Sequence, residues 1–282
     1  MKIYTLTQRS ILLLMLFVAF VACKEDKEST NEESTEEVAE NTEEAPEYTG
    51  DLPLDRLNLP DGFSIDVYAE NVEGARSMAM GADGTLFVGT RNEGKVYALK
   101  DTDGDYRADE TYTIASDLEQ PNGVAFKDGA LYVAAVSRMF KYSDIESQLD
   151  KPQEPELIYD DYPTEFHHGW KYIAFGPDDK LYVPVGAPCN ICDSATVDKR
   201  YASITRMDPD GSNREIVAHG IRNTVGFTWH PDTDELWFTD NGRDLMGDDV
   251  PPGELNKLTE VGQHFGYPFC HGGTVKDPEF GD

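Results

Sequence analysis

Met78-Ala-Met-Gly-Ala-Asp-Gly-Thr-Leu-Phe-Val88 is a short apolar segment, then a turn with Asp and Gly, then Leu followed by an aromatic residue and Val. The pattern returns three times, as Val124-Ala-Phe-Lys-Asp-Gly-Ala-Leu-Tyr-Val133, Ile173-Ala-Phe-Gly-Pro-Asp-Asp-Lys-Leu-Tyr-Val183 and Phe227-Thr-Trp-His-Pro-Asp-Thr-Asp-Glu-Leu-Trp-Phe238. The central leucines of the copies are spaced 45, 50 and 55 residues apart: Leu86, Leu131, Leu181 and Leu236. A period of about 40–50 residues is typical of a propeller blade of four antiparallel strands. The repeat therefore predicts an all-β propeller, with a β-sandwich as the alternative.

The rest of each period supplies the outer strands of a blade. In the first period these are Lys95-Val-Tyr-Ala-Leu99 and Thr111-Tyr-Thr-Ile114, on either side of a polar hairpin. In the third they are Ser203-Ile-Thr-Arg-Met207 and Glu215-Ile-Val-Ala218, around Asp208-Pro-Asp-Gly211. Pro presets φ and Gly accepts positive φ, so this last segment predicts a tight turn. We expect the aromatic residues beside the central leucines to pack between blades, namely Phe87, Tyr132, Tyr182 and Trp237.

The length raises the question of ring closure. Six blades of about 50 residues would need about 300 residues, whereas 220 follow Gly62. The sequence therefore predicts about four blades of a C-terminally truncated propeller, with a closed four-bladed ring as the alternative. Phe63-Ser-Ile-Asp-Val-Tyr68 is then expected to be an outer strand that completes the last, missing blade.

Composition excludes several classes of partner. The 282 residues carry 54 Asp and Glu against 24 Lys and Arg, a formal net charge of −30. Such a charge repels nucleic-acid phosphates and anionic bilayer surfaces, so neither is expected to bind directly. Hydrophobic residues make up 39% of the chain, enough for a core, while 24 Gly and 16 Pro interrupt long helices.

The N-terminal segment predicts export. An uncharged run at residues 11–22 follows Lys2 and Arg9 and is too short to span a bilayer, as in a signal peptide. Phe20-Val21-Ala22-Cys23 resembles a bacterial lipobox, which predicts lipidation of Cys23; a plain secretory signal is the alternative. Residues 24–47 hold 11 acids and 2 bases and predict a disordered tether. This acidic run resembles the surface-export signal of some Bacteroidetes lipoproteins, or is a simple solvated linker.

The predicted organisation is a signal peptide at 1–22, a tether at 23–50 and a propeller at 51–282. The predicted location is the periplasm or the outer-membrane surface, with membrane contact only through the lipid anchor.

Polar residues recur just before the repeats. His168 stands five residues before Ile173, and Arg222 stands five before Phe227 and is followed by Asn223. Arg76 and Asn122 lie at nearly the same phase of the first two copies. The segments that enter the innermost strands meet at one mouth of a propeller channel, so we expect these side chains to share a cavity. A histidine that can act as a base, an arginine that can pair with an anion and an asparagine that can hydrogen-bond a ligand predict an active site when they share one cavity.

Two segments carry a resemblance to a known family. Residues 166–182, which begin Phe166-His-His-Gly-Trp-Lys-Tyr, and Gly220-Ile-Arg-Asn-Thr-Val-Gly-Phe-Thr-Trp-His-Pro231 resemble signature segments of the soluble glucose/L-sorbosone dehydrogenases. These are six-bladed enzymes that use pyrroloquinoline quinone (PQQ). The resemblance covers most of residues 60–275. It is closest to the sorbosone branch, through Val183-Pro-Val-Gly-Ala-Pro-Cys-Asn-Ile-Cys192, Gly253-Glu-Leu-Asn256 and Phe265-Gly-Tyr-Pro268.

The resemblance implies roles for individual residues. His168 is the implied catalytic base, and an imidazole suits proton abstraction near neutrality. Arg222 is the implied partner of the quinone oxygens, and Asn223 and Asn122 are expected to contact the cofactor. Calcium is the second implied cofactor. It would bind at backbone oxygens near Gly242 and Arg243 in Asn241-Gly-Arg-Asp244, with hard oxygen donors nearby at Asp244, Asp248 and Asp249.

Two further motifs each allow two interpretations. Asp101-Thr-Asp-Gly-Asp-Tyr-Arg-Ala-Asp109 has the carboxylate spacing of a calcium loop and the residues of an ordinary hairpin turn. Cys189-Asn-Ile-Cys192 is either a redox pair or a structural disulfide, and export favours the disulfide. Cys270 is then left without a partner.

The sequence as a whole predicts a PQQ-dependent dehydrogenase of a sugar or sugar aldehyde, with a cytochrome or quinone as electron acceptor. The alternatives are a metal-dependent lactonase-like propeller and a propeller that only binds, since architecture does not fix chemistry.

Overall fold

The computed structural model describes residue 50 and residues 52–281. Cys23, the predicted signal peptide and residues 24–49 of the predicted tether lie outside these described residues. The strands of the described part are β1 (Ala75–Met80), β2 (Leu86–Thr90), β3 (Val96–Lys100), β4 (Glu110–Ala115), β5 (Gly123–Lys127), β6 (Ala130–Ala134), β7 (Met139–Tyr142), β8 (Glu156–Tyr159), β9 (Ala174–Phe175), β10 (Leu181–Val185), β11 (Ser203–Met207), β12 (Glu215–His219), β13 (Phe227–Trp229), β14 (Leu236–Asp240), β15 (Glu254–Lys257), β16 (Gln263–His264), β17 (Cys270–His271) and β18 (Val275–Lys276). Short 3-10 helices occur at Leu54–Arg56, Ile145–Ser147 and Ser194–Thr196. Within the same residues, helices of the length and apolar character needed to cross a bilayer are absent.

Consecutive strands pair into the blades of a propeller. Blade 1 is β1–β4, blade 2 is β5–β8, blade 3 is β9–β12 and blade 4 is β13–β15. Strand β16 joins the outer edge of blade 3 by parallel pairing with β12, and β17 and β18 form a separate hairpin. The first strands of blades 1, 2 and 3 lie side by side, as innermost strands around an axis do. The predicted all-β propeller is confirmed.

The sequence repeat is a repeat of strand register. In blades 1, 3 and 4 the central leucine opens the second strand and lies opposite the last residue of the first strand: Met80 and Leu86, Phe175 and Leu181, Trp229 and Leu236. In blade 2 Leu131 is the second residue of its strand and lies opposite Phe126, one residue before the end of the first strand. In blade 2 the connecting turn is Asp128-Gly129, with φ of 49° and 77°. Positive φ at both central residues matches the twist of the strands that such a turn joins.

Aromatic contacts join neighbouring blades in a repeated way. Phe87 stacks on Phe126 with 5.8 Å between ring centroids, Tyr132 meets Phe175 edge-on at 4.8 Å, and Tyr182 meets Trp229 edge-on at 5.0 Å. Each contact adds about 0.5–1.5 kcal/mol beyond the area it buries. The predicted packing role is therefore confirmed for Phe87, Tyr132 and Tyr182. Trp237 contacts Lys257 of its own blade.

Residues 63–68 are the predicted outer strand of a missing blade. They belong to no sheet of the described residues, and Phe63 and Ile65 are exposed. The Tyr68 carbonyl accepts a hydrogen bond from the Ala108 amide, and Tyr68 packs against the core of blade 1. The segment thus covers blade 1, and its pairing with a missing last blade stays a prediction.

Candidate active site at the channel mouth

The segments that lead into the innermost strands surround a cavity. It has a volume of about 410 Å³, and all four blades line it: Arg76, Ser77, Met78, Asn122, Trp170, Tyr172 and Val225. Arg76 and Asn122 therefore share this cavity as their phase predicts, whereas His168, Arg222 and Asn223 are not among its lining residues. His168 stands two residues before Trp170, and Arg222 stands three before Val225. Ala187 bridges these two segments, because its carbonyl lies against the His168 ring and its amide donates to the Arg222 carbonyl at 2.8 Å.

His168 is oriented by the backbone around it. Its Nδ1 lies 2.8 Å from the Ala187 carbonyl oxygen, which can only accept, so Nδ1 carries the proton and Nε2 keeps its lone pair. Gly186 makes this approach possible, since a Cβ there would lie 2.5 Å from His168 Cβ. Burial lowers the pKa of His168 to about 4, and the charge of Arg222 acts in the same direction. The ring is therefore a neutral, oriented base at neutral pH.

Arg222 is buried, with 4% of its surface exposed, and its guanidinium is held by oxygen atoms from two loops. Nε donates to the Asn190 carbonyl at 2.8 Å, Nη1 to the Asn241 carbonyl at 3.1 Å, and Nη2 to Asn190 Oδ1 at 2.9 Å and Asp244 Oδ2 at 3.2 Å. A guanidinium has five N–H groups. One N–H of Nη1 therefore stays available to a ligand, and displacement of Asp244, whose side chain is exposed, would free another.

Asp240 holds the backbone of Arg222 and Asn223 in place. Its carboxylate accepts the backbone N–H of Arg222 at 3.0 Å and that of Asn223 at 2.7 Å. Burial raises the pKa of Asp240 to about 7 against the effect of these hydrogen bonds. Sequence reasoning missed this residue. The available signal was its place at the end of β14, where alternate residues are buried.

Asn122 and Lys171 join the segments that lead into blades 2 and 3. Asn122 is buried, and its Nδ2 donates to the Lys171 carbonyl at 2.6 Å. Its Oδ1 is buried without a hydrogen-bond partner among the described residues. The Lys171 amine donates to the Gly169 carbonyl at 2.9 Å, and burial lowers its pKa to about 7. Lys171 fastens the segment that carries His168, and sequence reasoning missed it.

The residues expected near calcium lie in the loop after β14. The Arg243 side chain donates to Asp277 at 2.7 Å and to Glu279 at 3.1 Å, so only its backbone oxygen is open to an ion. Gly242 lies close to the Pro251 ring and the Pro252 carbonyl, and Asp248 is exposed. The structure brings Arg243 beside Asp277 and Asp244 beside Arg222, but it does not bring Asp248 to either.

Among the described residues, one group of three acidic, histidine or cysteine side chains converges as metal ligands do. Its members are Asp101, Asp103 and Asp109, with ligand atoms within 4.8 Å of one another. They lie in the β3–β4 hairpin, where Asp101 accepts the amides of Gly104 at 2.7 Å and Tyr106 at 3.0 Å. These hydrogen bonds stabilise the turn, which explains the acidic residues of the hairpin as turn residues.

Cys189 and Cys192 are joined by a disulfide. The bond closes a four-residue ring that contains Asn190, the residue that holds Arg222. The buried Tyr267 hydroxyl accepts a hydrogen bond from the Cys192 amide at 3.1 Å. Cys270 is a free, partly buried cysteine.

The propeller fold of this chain is similar to that of several solved sugar dehydrogenases. The holo form of the pyranose dehydrogenase PQQ domain from Coprinopsis cinerea matches 79% of this chain, at a TM-score of 0.65 and 17% identity. The PQQ-bound aldose sugar dehydrogenase of Streptomyces coelicolor matches 76% of the chain at a TM-score of 0.59 and 20% identity. A calcium structure of a Trichoderma reesei carbohydrate-active enzyme of family AA12 matches 70% at a TM-score of 0.60 and 20% identity. At these identities the likeness shows the fold.

The chain belongs to the family described as a domain of unknown function, DUF7133, whose model matches residues 51–263. An uncharacterized protein of Borreliella burgdorferi is 29% identical over 235 residues, which are 79% of this chain. The chain spans 59% of that protein, 60% of the Coprinopsis domain and 69% of the Streptomyces enzyme.

Proposed function

We propose that this protein is a PQQ-dependent dehydrogenase of a sugar or sugar aldehyde, with His168 as the base. The observation that carries the proposal is the His168 ring, which is neutral and has Nδ1 fixed on Ala187, so that Nε2 is the nitrogen that can act as the base. The shared fold with PQQ-bound sugar dehydrogenases supports it. The sorbosone-type substrate rests on the sequence resemblance.

The residues at the mouth fit a quinone cofactor. Asn122 Oδ1 is a buried acceptor that lacks a partner within the described chain, and Arg222 keeps one N–H for a ligand. Arg222, Asn223 and Asn122 would hold PQQ, which when bound supplies a quinone that accepts hydride from the substrate. Arg222 places a fixed positive charge in a site shielded from water, where it acts strongly on charge that develops on oxygen.

His168 performs the proton transfer. Its Nε2 takes the proton of the sugar hydroxyl, and the Nδ1 hydrogen bond to Ala187 holds the ring in the tautomer that this step needs. The imidazolium that forms lies near Asp244, whose charge favours it. Asp240 acts one step further away, because it fixes the backbone from which Arg222 and Asn223 project.

We also propose calcium at the loop after β14, through the backbone oxygens of Gly242 and Arg243 and the carboxylate of Asp248. The calcium structure of the AA12 enzyme supports calcium for this fold. The test is a calcium titration of the PQQ-loaded protein. Asp248→Asn should weaken calcium binding, whereas Asp232→Asn, in the exposed β13–β14 turn, should leave it unchanged.

The proposed setting is the periplasm or the outer-membrane surface, with Cys23 lipidated and a cytochrome or quinone as electron acceptor. The disulfide of Cys189 and Cys192 supports export, because such bonds persist in oxidising compartments. Metabolic labelling with a fatty-acid analogue should mark the full-length protein and not its Cys23→Ser variant.

Reconstitution of the full-length protein with PQQ and calcium tests the activity directly. Dye reduction with a panel of aldoses and sugar aldehydes should be seen, and His168→Asn should lower kcat by about 10²–10⁴-fold. His167→Asn is the matched control, since its ring lies beside His168, with 4.1 Å between centroids, without the bond to Ala187. Hydrolysis of a lactone instead would favour the lactonase alternative, and sugar binding without dye reduction would favour a binding propeller.

A further inference from the structure

The hairpin of β17 and β18 forms a sheet of its own after blade 4, and a buried carboxylate follows it. The side chain of Asp277, the residue after β18, is 0% exposed. Its Oδ2 accepts a hydrogen bond from Nη1 of Arg243 at 2.7 Å and lies 2.9 Å from Nε2 of His271. Its Oδ1 accepts the backbone amides of Glu279 at 2.8 Å and Phe280 at 3.0 Å. Both oxygen atoms of Asp277 therefore bind groups from elsewhere in the chain.

The ion pair of Arg243 and Asp277 lies deep in the protein. Its side chains are 7% and 0% exposed, whereas those of the pair formed by Arg200 and Asp198 are both 25% exposed. The loss of hydration offsets much of the attraction between two buried charges, so such a pair contributes little net stability. Removal of one partner is nevertheless costly, because it leaves the other charge buried and unpaired. A buried pair therefore fixes the position of the segments that it joins more than it stabilises the fold.

Arg243 belongs to a loop that holds Arg222. The Asn241 carbonyl accepts a hydrogen bond from Nη1 of Arg222 at 3.1 Å, and the Asp244 carboxylate accepts one from Nη2 at 3.2 Å. Arg243 stands between these two acceptors in the sequence, and its own side chain is bound to Asp277. Within the described chain this loop forms no helix or strand, so side-chain contacts decide where it lies. The bond to Asp277 is such a contact.

The segment after blade 4 also contacts the second loop that holds Arg222. Tyr267 precedes the hairpin, and its hydroxyl accepts the Cys192 amide at 3.1 Å. Tyr267 is 3% exposed, so this bond is shielded from water. Cys192 closes the disulfide ring around Asn190, whose carbonyl accepts a hydrogen bond from Nε of Arg222 at 2.8 Å. Residues 267–280 thus contact both loops that supply the acceptors of the guanidinium.

We propose that Asp277 and Tyr267 are positioning residues for Arg222, which hold the two loops that fix its guanidinium and thereby set the affinity of the site for the quinone cofactor. The part that concerns the cofactor rests on the proposed function, whereas the part that concerns Arg222 applies to the protein without cofactor. Loss of either contact should let a loop open more often, and the N–H groups of Arg222 should then exchange with water faster.

Hydrogen exchange of the Arg222 Nε–H group tests the positioning without cofactor or turnover. NMR of the full-length, PQQ-free protein measures the exchange rate, and Arg222→Lys assigns the signal by its disappearance. We expect Asp277→Asn and Tyr267→Phe each to raise the rate at least about tenfold, because the loop opens at a lower cost in free energy. Asp178→Asn is the matched control, since it removes a carboxylate from Arg206, 2.9 Å away in blade 3. Unchanged exchange in both variants would overturn the inference.

Titration of PQQ into the full-length protein with calcium tests the consequence for the site. Asp277→Asn should weaken PQQ binding about tenfold when Arg222 is present and leave it unchanged in the Arg222→Lys background, because the effect acts through Arg222. An equal loss in both backgrounds would overturn the inference, since Asp277 would then act through the calcium loop or the fold as a whole. Circular dichroism checks that each variant is folded, and Tyr267→Phe carries the same cycle if Asp277→Asn does not fold.

The two measurements separate this inference from the proposed function. Faster exchange of the Arg222 signal in both variants, in a protein that binds no PQQ, would contradict the quinone-dependent dehydrogenase and support the positioning role. Unchanged exchange in both variants of a protein that binds PQQ and reduces the dye would overturn the positioning role and support the dehydrogenase.

Discussion

Asn190 holds the guanidinium of Arg222 with two of its oxygen atoms. Nε of Arg222 donates to the Asn190 carbonyl at 2.8 Å, and Nη2 donates to Asn190 Oδ1 at 2.9 Å. The same Oδ1 accepts the Asp244 amide at 2.8 Å, and Asn190 Nδ2 donates to the Asp244 carbonyl at 3.2 Å. A loop closed by a disulfide therefore places the buried charge of the candidate site.

Asn190→Ala should destabilise the protein by about 1–3 kcal/mol, because the buried Arg222 guanidinium loses one of its acceptors and the Asp244 amide loses its side-chain acceptor. Urea unfolding followed by tryptophan fluorescence measures the change. Asn256→Ala is the control, since that amide donates to Glu254 at the surface of blade 4. An effect no larger than that of the control would show that Arg222 is held by its other partners.

Opening the disulfide ring should act on the same arginine. The double variant Cys189→Ser, Cys192→Ser should lose about 2 kcal/mol from the greater freedom of the unfolded loop. It should also weaken PQQ binding, because Asn190 is no longer confined. Cys270→Ser, which removes the free cysteine of the described chain, should keep the affinity of the unmodified protein. Unchanged PQQ binding in the double variant would show that the disulfide does not influence the site.

The buried carboxyl of Asp240 predicts a pH-dependent stability. Its pKa is raised from 3.8 to about 7, so between these values the folded chain keeps a proton that the unfolded chain has released. Unfolding therefore becomes easier as the pH rises from about 4 to about 7. The Asp240→Asn side chain does not titrate. The free energy of unfolding of the unmodified protein should therefore fall relative to that of the variant over that pH interval. Urea unfolding at several pH values measures it, and parallel curves would contradict the raised pKa.

His168 should remain neutral in mildly acidic solution. Burial lowers its pKa from 6.5 to about 4, so its ring should gain a proton near pH 4 in the protein without PQQ. NMR titration of the histidine ring protons follows this, and His168→Asn assigns the signal by its disappearance. Titration of that signal near pH 6.5 would mean that the ring is solvated and free of the Ala187 bond.

The contact between Tyr132 and Phe175 should couple blades 2 and 3. A double-mutant cycle with Tyr132→Leu and Phe175→Leu should give an interaction energy of about 0.5–1.5 kcal/mol. The rings meet edge-on at 4.8 Å, across an interface where both side chains follow the repeat. Additive effects of the two changes would show that the blades are joined by other contacts.

Most of the blade structure could be predicted from the sequence, because its signals are local. The alternation of apolar residues, the turn residues and the spacing of the central leucines act within one blade, and they predicted the strands and the place of the aromatic contacts. The same repeat phase predicted that Arg76 and Asn122 would meet.

The partners of the site residues could not be predicted in this way. Asp240 acts on the amides of residues 17 and 18 positions away, and Asn190 acts on a guanidinium 32 positions away. Only the packing of blades around an axis decided that an acid ending β14 would hold the amides of Arg222 and Asn223.

The sequence by itself determined the propeller and the residues that reach its mouth, since periodicity and turn chemistry are properties of neighbouring residues. The tertiary structure decided the state of those residues: a neutral His168, an Arg222 held in a frame and an Asn122 with an unused oxygen. Burial and hydrogen bonding set these states, and both depend on groups that are distant in the chain and adjacent in the fold.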